Sequence, residues 1–123
     1  HLTDAVMRGL LERGGTIGVV PANNFLRPGW RDSGWRAIVT LEHVAAQIDY
    51  ICQAAGDARH AGLGSDFDGG FGLQSVPSDV DTIADLQKLV PMLAARGYSQ
   101  EDISAIMGGN WLAHLKRFLP EVV

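Results

Sequence analysis

Cysteine and long apolar runs are what this sequence of 123 residues most clearly lacks. Cys52 is the single cysteine, which excludes an internal disulfide and a zinc site built from cysteines. Apolar runs stay well short of the roughly 18 residues of a membrane-spanning helix, so no membrane segment is predicted in this chain. With a net charge of −4 and an isoelectric point near 5.4, the chain is not expected to bind nucleic acid or anionic lipid.

Three binding motifs are also missing. A calcium loop of the EF-hand type beginning at Asp66 needs glutamate at its twelfth position, which is Pro77. A dinucleotide-binding glycine pattern beginning at Gly62 fails at Phe67, and no Gly-Lys-Ser/Thr triplet exists for a phosphate loop. The histidines form no His-x-His or His-x-Asp pair; they are His1, His43, His60 and His114. We therefore expect no metal ligands in this chain.

What is present is the composition of one soluble globular domain, with 46% hydrophobic and 20% charged residues. A reducing compartment such as the cytoplasm is compatible with the single cysteine, but the compartment stays open. The chain begins without methionine, directly before a predicted helix. This start suggests a piece of a longer protein.

Two short apolar runs on either side of an amphipathic stretch indicate the fold class. The runs 16–21 and 61–66 are typical of buried strands. Between them, Thr40 begins and Gly56 ends a helix whose apolar side chains form one continuous stripe. Strand, helix and strand in this order predict a parallel βαβ unit of an α/β protein. Because two strands cannot form a parallel sheet buried on both faces, the chain should belong to a larger α/β protein or be incomplete.

Capping residues and glycine or proline breaks bound the remaining predicted elements. They are a helix from Thr3 to Gly14, loops over 22–35 and 69–79, a helical turn over 81–88, a helix from Pro91 to Gly97, a helix after Ser99, and a last helix capped by Asn110. Pro91 is assigned the first helical position because proline breaks a helix interior.

The stretch AGLGSDFDGGFG, residues 61–72, places Asp66 where the second strand ends. Functional groups of α/β proteins gather at these carboxyl ends. Strand alternation puts Gly62 and Gly64 on the same face as Asp66. We therefore expect that face to be hollow, as a pocket requires. The alternative is that Asp66 only caps a turn, as Asp-x-Asp-Gly sequences often do.

Asn23 and Asn24 follow the first strand at its loop end. Amide side chains there can face a substrate, so a substrate-binding role is one prediction for this pair. Asparagine is also a common turn residue, and a turn role is the other prediction.

Three blocks of the sequence, in the same order, resemble the membrane (renal) dipeptidase family of zinc metallopeptidases. The family's penultimate barrel helix and strand are similar to LTDAVMRGLLERGGTIGV, and its last helix and strand to IDYICQAAGDARHAGLGSDFDGG. Its C-terminal signature is similar to DLQKLVPMLAARGYSQEDISAIMGGNWL. The most specific match is Gly-Ser-Asp-Phe-Asp-Gly.

This resemblance implies that residues 1–123 are the C-terminal part of a single (β/α)₈ barrel domain of a metal-dependent hydrolase, holding the last two strands and the C-terminal helices. It implies a dipeptide substrate and two zinc ions, with the ligands expected upstream of residue 1. Asp66 matches the family's aspartate on the eighth strand, which assists proton transfer and contacts the substrate amine. The family often has Asn-Phe where this chain has Val20-Pro21, so substrate preference is expected to differ.

Without metal ligands, the isolated chain of 123 residues is expected to be inactive and to need the remainder of the barrel or a partner chain. The alternative from another class is an inactive fragment or non-enzymatic α/β interaction module. Such a module would pair with a partner chain through exposed strand edges. A homodimer is a further possible assembly of the protein.

Overall fold

Helices flank one pair of strands in the part of the chain that the computed structural model describes, residues 2–33 and 35–121. In chain order the elements are α1 (Asp4–Glu12), β1 (Ile17–Val19), α2 (Asn23–Leu26), α3 (Trp30–Ser33), α4 (Leu41–Ala55), β2 (Ala61–Leu63), α5 (Leu89–Ala95), α6 (Gln100–Ser104) and α7 (Asn110–Phe118). Short 3₁₀ segments cover Arg36–Ile38, Leu73–Ser75 and Ile83–Lys88, and a π-helical segment, Ala105–Gly109, joins α6 to α7.

β1 and β2 lie parallel, with Gly18 opposite Gly62. Because α4 connects them, the predicted βαβ unit is confirmed. Each strand has three residues, fewer than the predicted runs 16–21 and 61–66. Pro21 has no N–H group to donate, so it cannot continue a ladder beyond β1.

α4 supplies the centre of the core. Leu41, Val44 and Ile48 have no exposed surface, so the predicted apolar stripe is confirmed as the buried face. Gly56 ends the helix in the left-handed conformation, with φ of 80°, which glycine adopts without steric cost. Other buried apolar residues come from the surrounding helices; they include Met7, Leu26, Leu89, Leu93, Ile103 and Ile106.

The prediction of a loop over 22–35 is wrong in part, because this segment contains α2 and α3. Leu26 and Trp30 are buried, and the indole N–H of Trp30 donates to the Trp35 carbonyl at 2.9 Å. These tertiary contacts stabilise two short helical turns in a segment that its glycine and proline content assigns to a loop.

The start of α5 also differs from the prediction. The helix begins at Leu89, so Pro91 takes its third position rather than its first. Proline is tolerated there because the N–H groups of a first helical turn have no intrahelical acceptor. Ser99 caps α6 as predicted, since its hydroxyl accepts the Asp102 N–H at 3.1 Å.

Asn110 is not the N-cap of the last helix, so this prediction is wrong. The chain kinks at Gly108, whose backbone angles are not helical, and both Gly109 and Asn110 already have helical backbone angles. Its buried side-chain amide instead donates to the carbonyls of Ala58 and Ala61, each at 2.7 Å. Asn110 therefore attaches α7 to the start of β2. None of the described helices is long and apolar enough to cross a membrane.

The core position of α4 gives a first prediction. Ile48→Ala should lower the free energy of unfolding by about 2–5 kcal/mol, because it leaves a cavity beside the strands. Ile83 is 64% exposed, so the matched control Ile83→Ala should change it by no more than about 0.5 kcal/mol. Urea titration followed by circular dichroism measures both changes. Equal losses in the two variants would contradict the assignment of α4 to the core.

Candidate active site

Asp66 lies three residues beyond β2, at the carboxyl end of the strand. It is exposed, and among the described non-glycine residues it is the one with a positive φ, 52°. This left-handed conformation is uncommon for residues with a side chain, although aspartate adopts it more readily than most. The Gly69 N–H donates to the Asp66 carbonyl at 2.8 Å. The chain therefore turns sharply at Asp66, but the hydrogen bond that closes this turn is made by the Asp66 backbone carbonyl.

The carboxylate of Asp66 lies directly over Gly69. A Cβ atom at Gly69 would be 2.2 Å from Asp66 Oδ1, so the turn needs glycine at this position to leave room for the carboxylate. Within residues 2–33 and 35–121, the Asp66 carboxylate takes part in no hydrogen bond or ion pair. An exposed carboxylate without a protein partner is available to a ligand.

The glycine face of the two strands is not hollow at Gly62, so the prediction of a hollow face is wrong there. The indole of Trp111 fills it. A Cβ at Gly62 would be 2.6 Å from Trp111 Nε1, and one at Gly18 would be 3.2 Å from the same ring. The indole N–H donates to the Leu63 carbonyl at 2.9 Å. The glycines therefore admit a tryptophan of α7, and the space that they leave is occupied within this chain.

Asn23 is fully buried in α2. Its side-chain amide donates to the Val76 carbonyl at 3.0 Å, and its Oδ1 has no partner among the described residues. Asn24 is half-buried. Asn23 therefore touches the loop after β2 but exposes no surface to a substrate in this structure, and a substrate contact for either residue stays a prediction.

Arg36 is a residue that the sequence reasoning missed. Its guanidinium donates to the carbonyls of Val76, at 3.2 Å, Pro77, at 3.1 Å, and Val80. It also pairs with the Asp81 carboxylate at 3.2 Å. These partners lie 40 or more residues away in the sequence. No local pattern distinguishes Arg36 from a surface arginine, so only the folded chain reveals its role.

A cleft of about 600 Å³ opens between the neighbours of Asp66 and the segment 76–81. Ser65, Phe67 and Asp68 line one side, and Val76, Val80 and Asp81 line the other. The rings of Phe67 and Phe71 meet edge to face with centroids 6.5 Å apart. The cleft therefore combines apolar side chains with the carboxylates of Asp68 and Asp81, whereas Asp66 lies next to it and is not one of its lining residues.

The described residues do not by themselves fit a metal site. Across 2–33 and 35–121, no three His, Cys, Asp or Glu side chains come together as metal ligands would. Zinc in proteins takes three or four such ligands. Asp66 therefore needs ligands from elsewhere if it is to lie beside a metal ion.

Comparison with known families decides the relationship. The sequence model of the membrane dipeptidases, peptidase family M19, matches residues 1–118. The chain belongs to this family. The resemblance inferred from the three sequence blocks is thereby confirmed.

Relatives of the chain include dipeptidase ataJ of Aspergillus terreus, 35% identical over 117 residues, with 95% of this chain and 26% of the relative covered. An uncharacterized protein in the pqqA 5′ region of Klebsiella pneumoniae is 37% identical over 117 residues, with 94% of this chain and 40% of the relative covered. The chain thus spans less than half the length of these relatives.

One solved structure of the same family and one of an amidohydrolase superimpose on this chain. Dipeptidase AC, a metallopeptidase of family M19, superimposes with a TM-score of 0.78 and 29% identity, covering 95% of this chain and 31% of its own. An amidohydrolase from Pseudomonas aeruginosa superimposes with a TM-score of 0.76 at 22% identity, covering 94% of this chain and 40% of its own. The second likeness bears on the fold alone.

The packing of Trp111 on the glycine face gives a second prediction. Gly62→Ala should lower the free energy of unfolding by about 1–3 kcal/mol, because its methyl group overlaps the indole. In a Trp111→Ala background, Gly62→Ala should lower the free energy of unfolding by less, because there is no indole for the methyl group to overlap. Thermal unfolding of the single and double variants measures this coupling.

Gly9→Ala is the matched control, since a Cβ at Gly9 in α1 meets nothing within 4 Å. It should raise the free energy of unfolding by up to about 1 kcal/mol, because alanine favours a helix. An equal cost of Gly62→Ala with and without Trp111 would contradict the packing of the indole on this face.

Proposed function

We propose that the protein containing this chain hydrolyses dipeptides, and that Asp66 is the carboxylate that binds the substrate amine and transfers a proton. The observation that carries the proposal is the state of Asp66 itself. It is exposed at the carboxyl end of β2, held in an uncommon backbone conformation, and without a protein partner among the described residues. Uncommon backbone conformations of this kind cluster at functional sites.

Proton transfer by Asp66 accounts for a complete hydrolysis. Water adds to the carbonyl carbon of the peptide bond, and a carboxylate within hydrogen-bond reach accepts a proton from it. The carbon–nitrogen bond then breaks, and the same proton passes to the departing amine. Two free amino acids result, and the carboxylate is regenerated. A carboxylate is also the natural partner of the substrate's ammonium group.

On this proposal, residues outside 1–123 supply the metal ligands. We infer two zinc ions from family membership, held by ligands upstream of residue 1, because the described residues bring no metal-binding group together. On this proposal, residues 1–123 are the C-terminal part of a (β/α)₈ barrel domain. They contribute its last two strands, the loops that follow them and the C-terminal helices.

The outer edge of β1 is where we expect the rest of the sheet to pair. The Ile17 N–H donates to the His60 carbonyl, and the Val19 carbonyl accepts the Gly64 N–H. The N–H and carbonyl groups of Gly18, between them, therefore point to the opposite edge of β1. Gly18 lines an apolar groove of about 700 Å³ there. A non-enzymatic interaction module would bind a partner strand at the same edge. A dipeptidase assay therefore distinguishes the two functions, because only the enzyme would hydrolyse dipeptides.

Substitution of Asp66 tests the proposed function. Asp66→Asn should lower kcat for dipeptide hydrolysis by about 10²- to 10⁴-fold, because the amide cannot accept the proton. Steady-state hydrolysis by the complete gene product that carries residues 1–123 measures the change. Asp57 is an exposed carboxylate before the start of β2, and Asp57→Asn should retain the original kcat. Equal activity in both variants would show that Asp66 has no catalytic role.

Residues 1–123 expressed alone should hydrolyse no dipeptide and retain no stoichiometric zinc after dialysis. The reason is that the described residues lack a group of metal ligands. Elemental analysis and a dipeptide assay on one sample of verified intact mass measure both properties. About two zinc ions per chain together with hydrolysis would contradict the proposal that the ligands lie outside this chain.

A further inference from the structure

We propose that Arg36, together with Asn23, is a positioning residue that holds the loop after β1 against the loop after β2 and thereby fixes the cleft beside Asp66. The inference rests on the proposed function, because the cleft bears on catalysis only if Asp66, whose neighbours Ser65 and Phe67 line it, is the catalytic carboxylate. Arg36 itself does not line the cleft. Its effect on a reaction must therefore pass through the residues that it holds.

The two side chains converge on one carbonyl. Arg36 Nε donates to the Val76 carbonyl at 3.2 Å, and Asn23 Nδ2 donates to the same oxygen at 3.0 Å. Both donors come from the segment between β1 and α4, whereas Val76 belongs to the loop after β2. One carbonyl thus receives both of its hydrogen bonds from the opposite loop.

One other nitrogen of Arg36 holds the next residues of the same loop. Nη2, which carries two N–H groups, lies within hydrogen-bond distance of the carbonyls of Pro77 and Val80 and of the Asp81 carboxylate. A guanidinium carries five N–H groups in a rigid plane, so one arginine can serve several acceptors at once. A lysine ammonium in the same place is a compact point charge and cannot reproduce this set.

Backbone contacts continue the attachment toward α4. Ser78 N donates to the Val39 carbonyl at 2.8 Å, and Leu41 N donates to Asp79 Oδ1 at 2.9 Å. The segment 76–81 therefore lies along residues 36–41. Because α4 is anchored in the core, this attachment connects the loop after β2 to the rigid part of the fold.

The loop after β2 is consequently held at both ends. One end is β2, from which the chain reaches Asp66, and the other is the segment 76–81 held by Arg36. Val76, Val80 and Asp81 form the far wall of the cleft whose near wall is next to Asp66. Release of Arg36 should therefore let the two walls separate, and loss of alignment at a reacting centre can lower rates strongly.

Kinetics of substituted enzymes test the role of Arg36. In the complete gene product, Arg36→Met should lower kcat/KM for dipeptides by about 10- to 100-fold, at a temperature where the variant is fully folded. Arg36→Lys should recover part of the loss, because it keeps the charge and some donors. Arg59 is an exposed arginine at the opposite end of β2, and Arg59→Met should retain the original kcat and KM.

A double-mutant cycle tests the shared carbonyl. Asn23→Ala should lower kcat/KM as well, and Arg36→Met with Asn23→Ala should lose less than the product of the two single losses, because both act on Val76. A loss equal to that product would overturn the joint role. Unchanged kcat and KM in folded Arg36→Met, with only a lower unfolding temperature, would show stabilisation alone and overturn the proposal.

Hydrogen exchange separates this inference from the proposed function. In Arg36→Met the amides of Ser78 and Leu41 should exchange faster, while those in the middle of α4 keep their protection. Absence of dipeptidase activity in the wild-type protein would refute the proposed function. It would also refute the catalytic part of this inference. The exchange data would then test the loop attachment alone, and unchanged exchange of the Ser78 and Leu41 amides in Arg36→Met would refute it.

Discussion

The hydrogen bonds between β1 and β2 determine which loops of this chain lie side by side. Parallel strands present their carboxyl ends at one edge, so the segment after β1 and the segment after β2 leave the sheet together. α4 maintains this arrangement because its inner face, including Val44 and Ile48, is fully buried. Only on this framework can Asn23 reach Val76, 53 residues further along the chain.

The loop after β2 contains one segment that is held by hydrogen bonds and one residue, Asp66, whose carboxylate is not. The segment 76–81 is hydrogen-bonded to Arg36 and to Leu41, the first residue of α4. Asp66 is exposed, strained and without a partner among the described residues. A reactive group needs such freedom to meet a ligand, whereas its supporting shell needs to be fixed. The chain therefore combines one available carboxylate with a rigid support.

Local patterns predict those parts of the fold that depend on neighbouring residues. The stripe of α4, its glycine end and the parallel order of the strands follow from spacing and composition alone, and Gly-Ser-Asp-Phe-Asp-Gly indicates the family. Contacts between distant residues are not encoded in this way. Asn110 and Trp111 bind β2 across about 50 residues. Spacing alone therefore mistakes Asn110 for a cap and does not show that Trp111 packs on the glycines of the strands. Arg36 is missed for the same reason.

The account depends most on Asp66 meeting the substrate. A crystal structure of the complete gene product with a non-hydrolysable dipeptide analogue tests this directly. We expect the ammonium group of the analogue to lie about 3 Å from an oxygen of Asp66, at hydrogen-bond distance, with the segment 76–81 still forming the far wall of the neighbouring cleft. An analogue bound elsewhere, with the Asp66 carboxylate still exposed to solvent, would contradict the account.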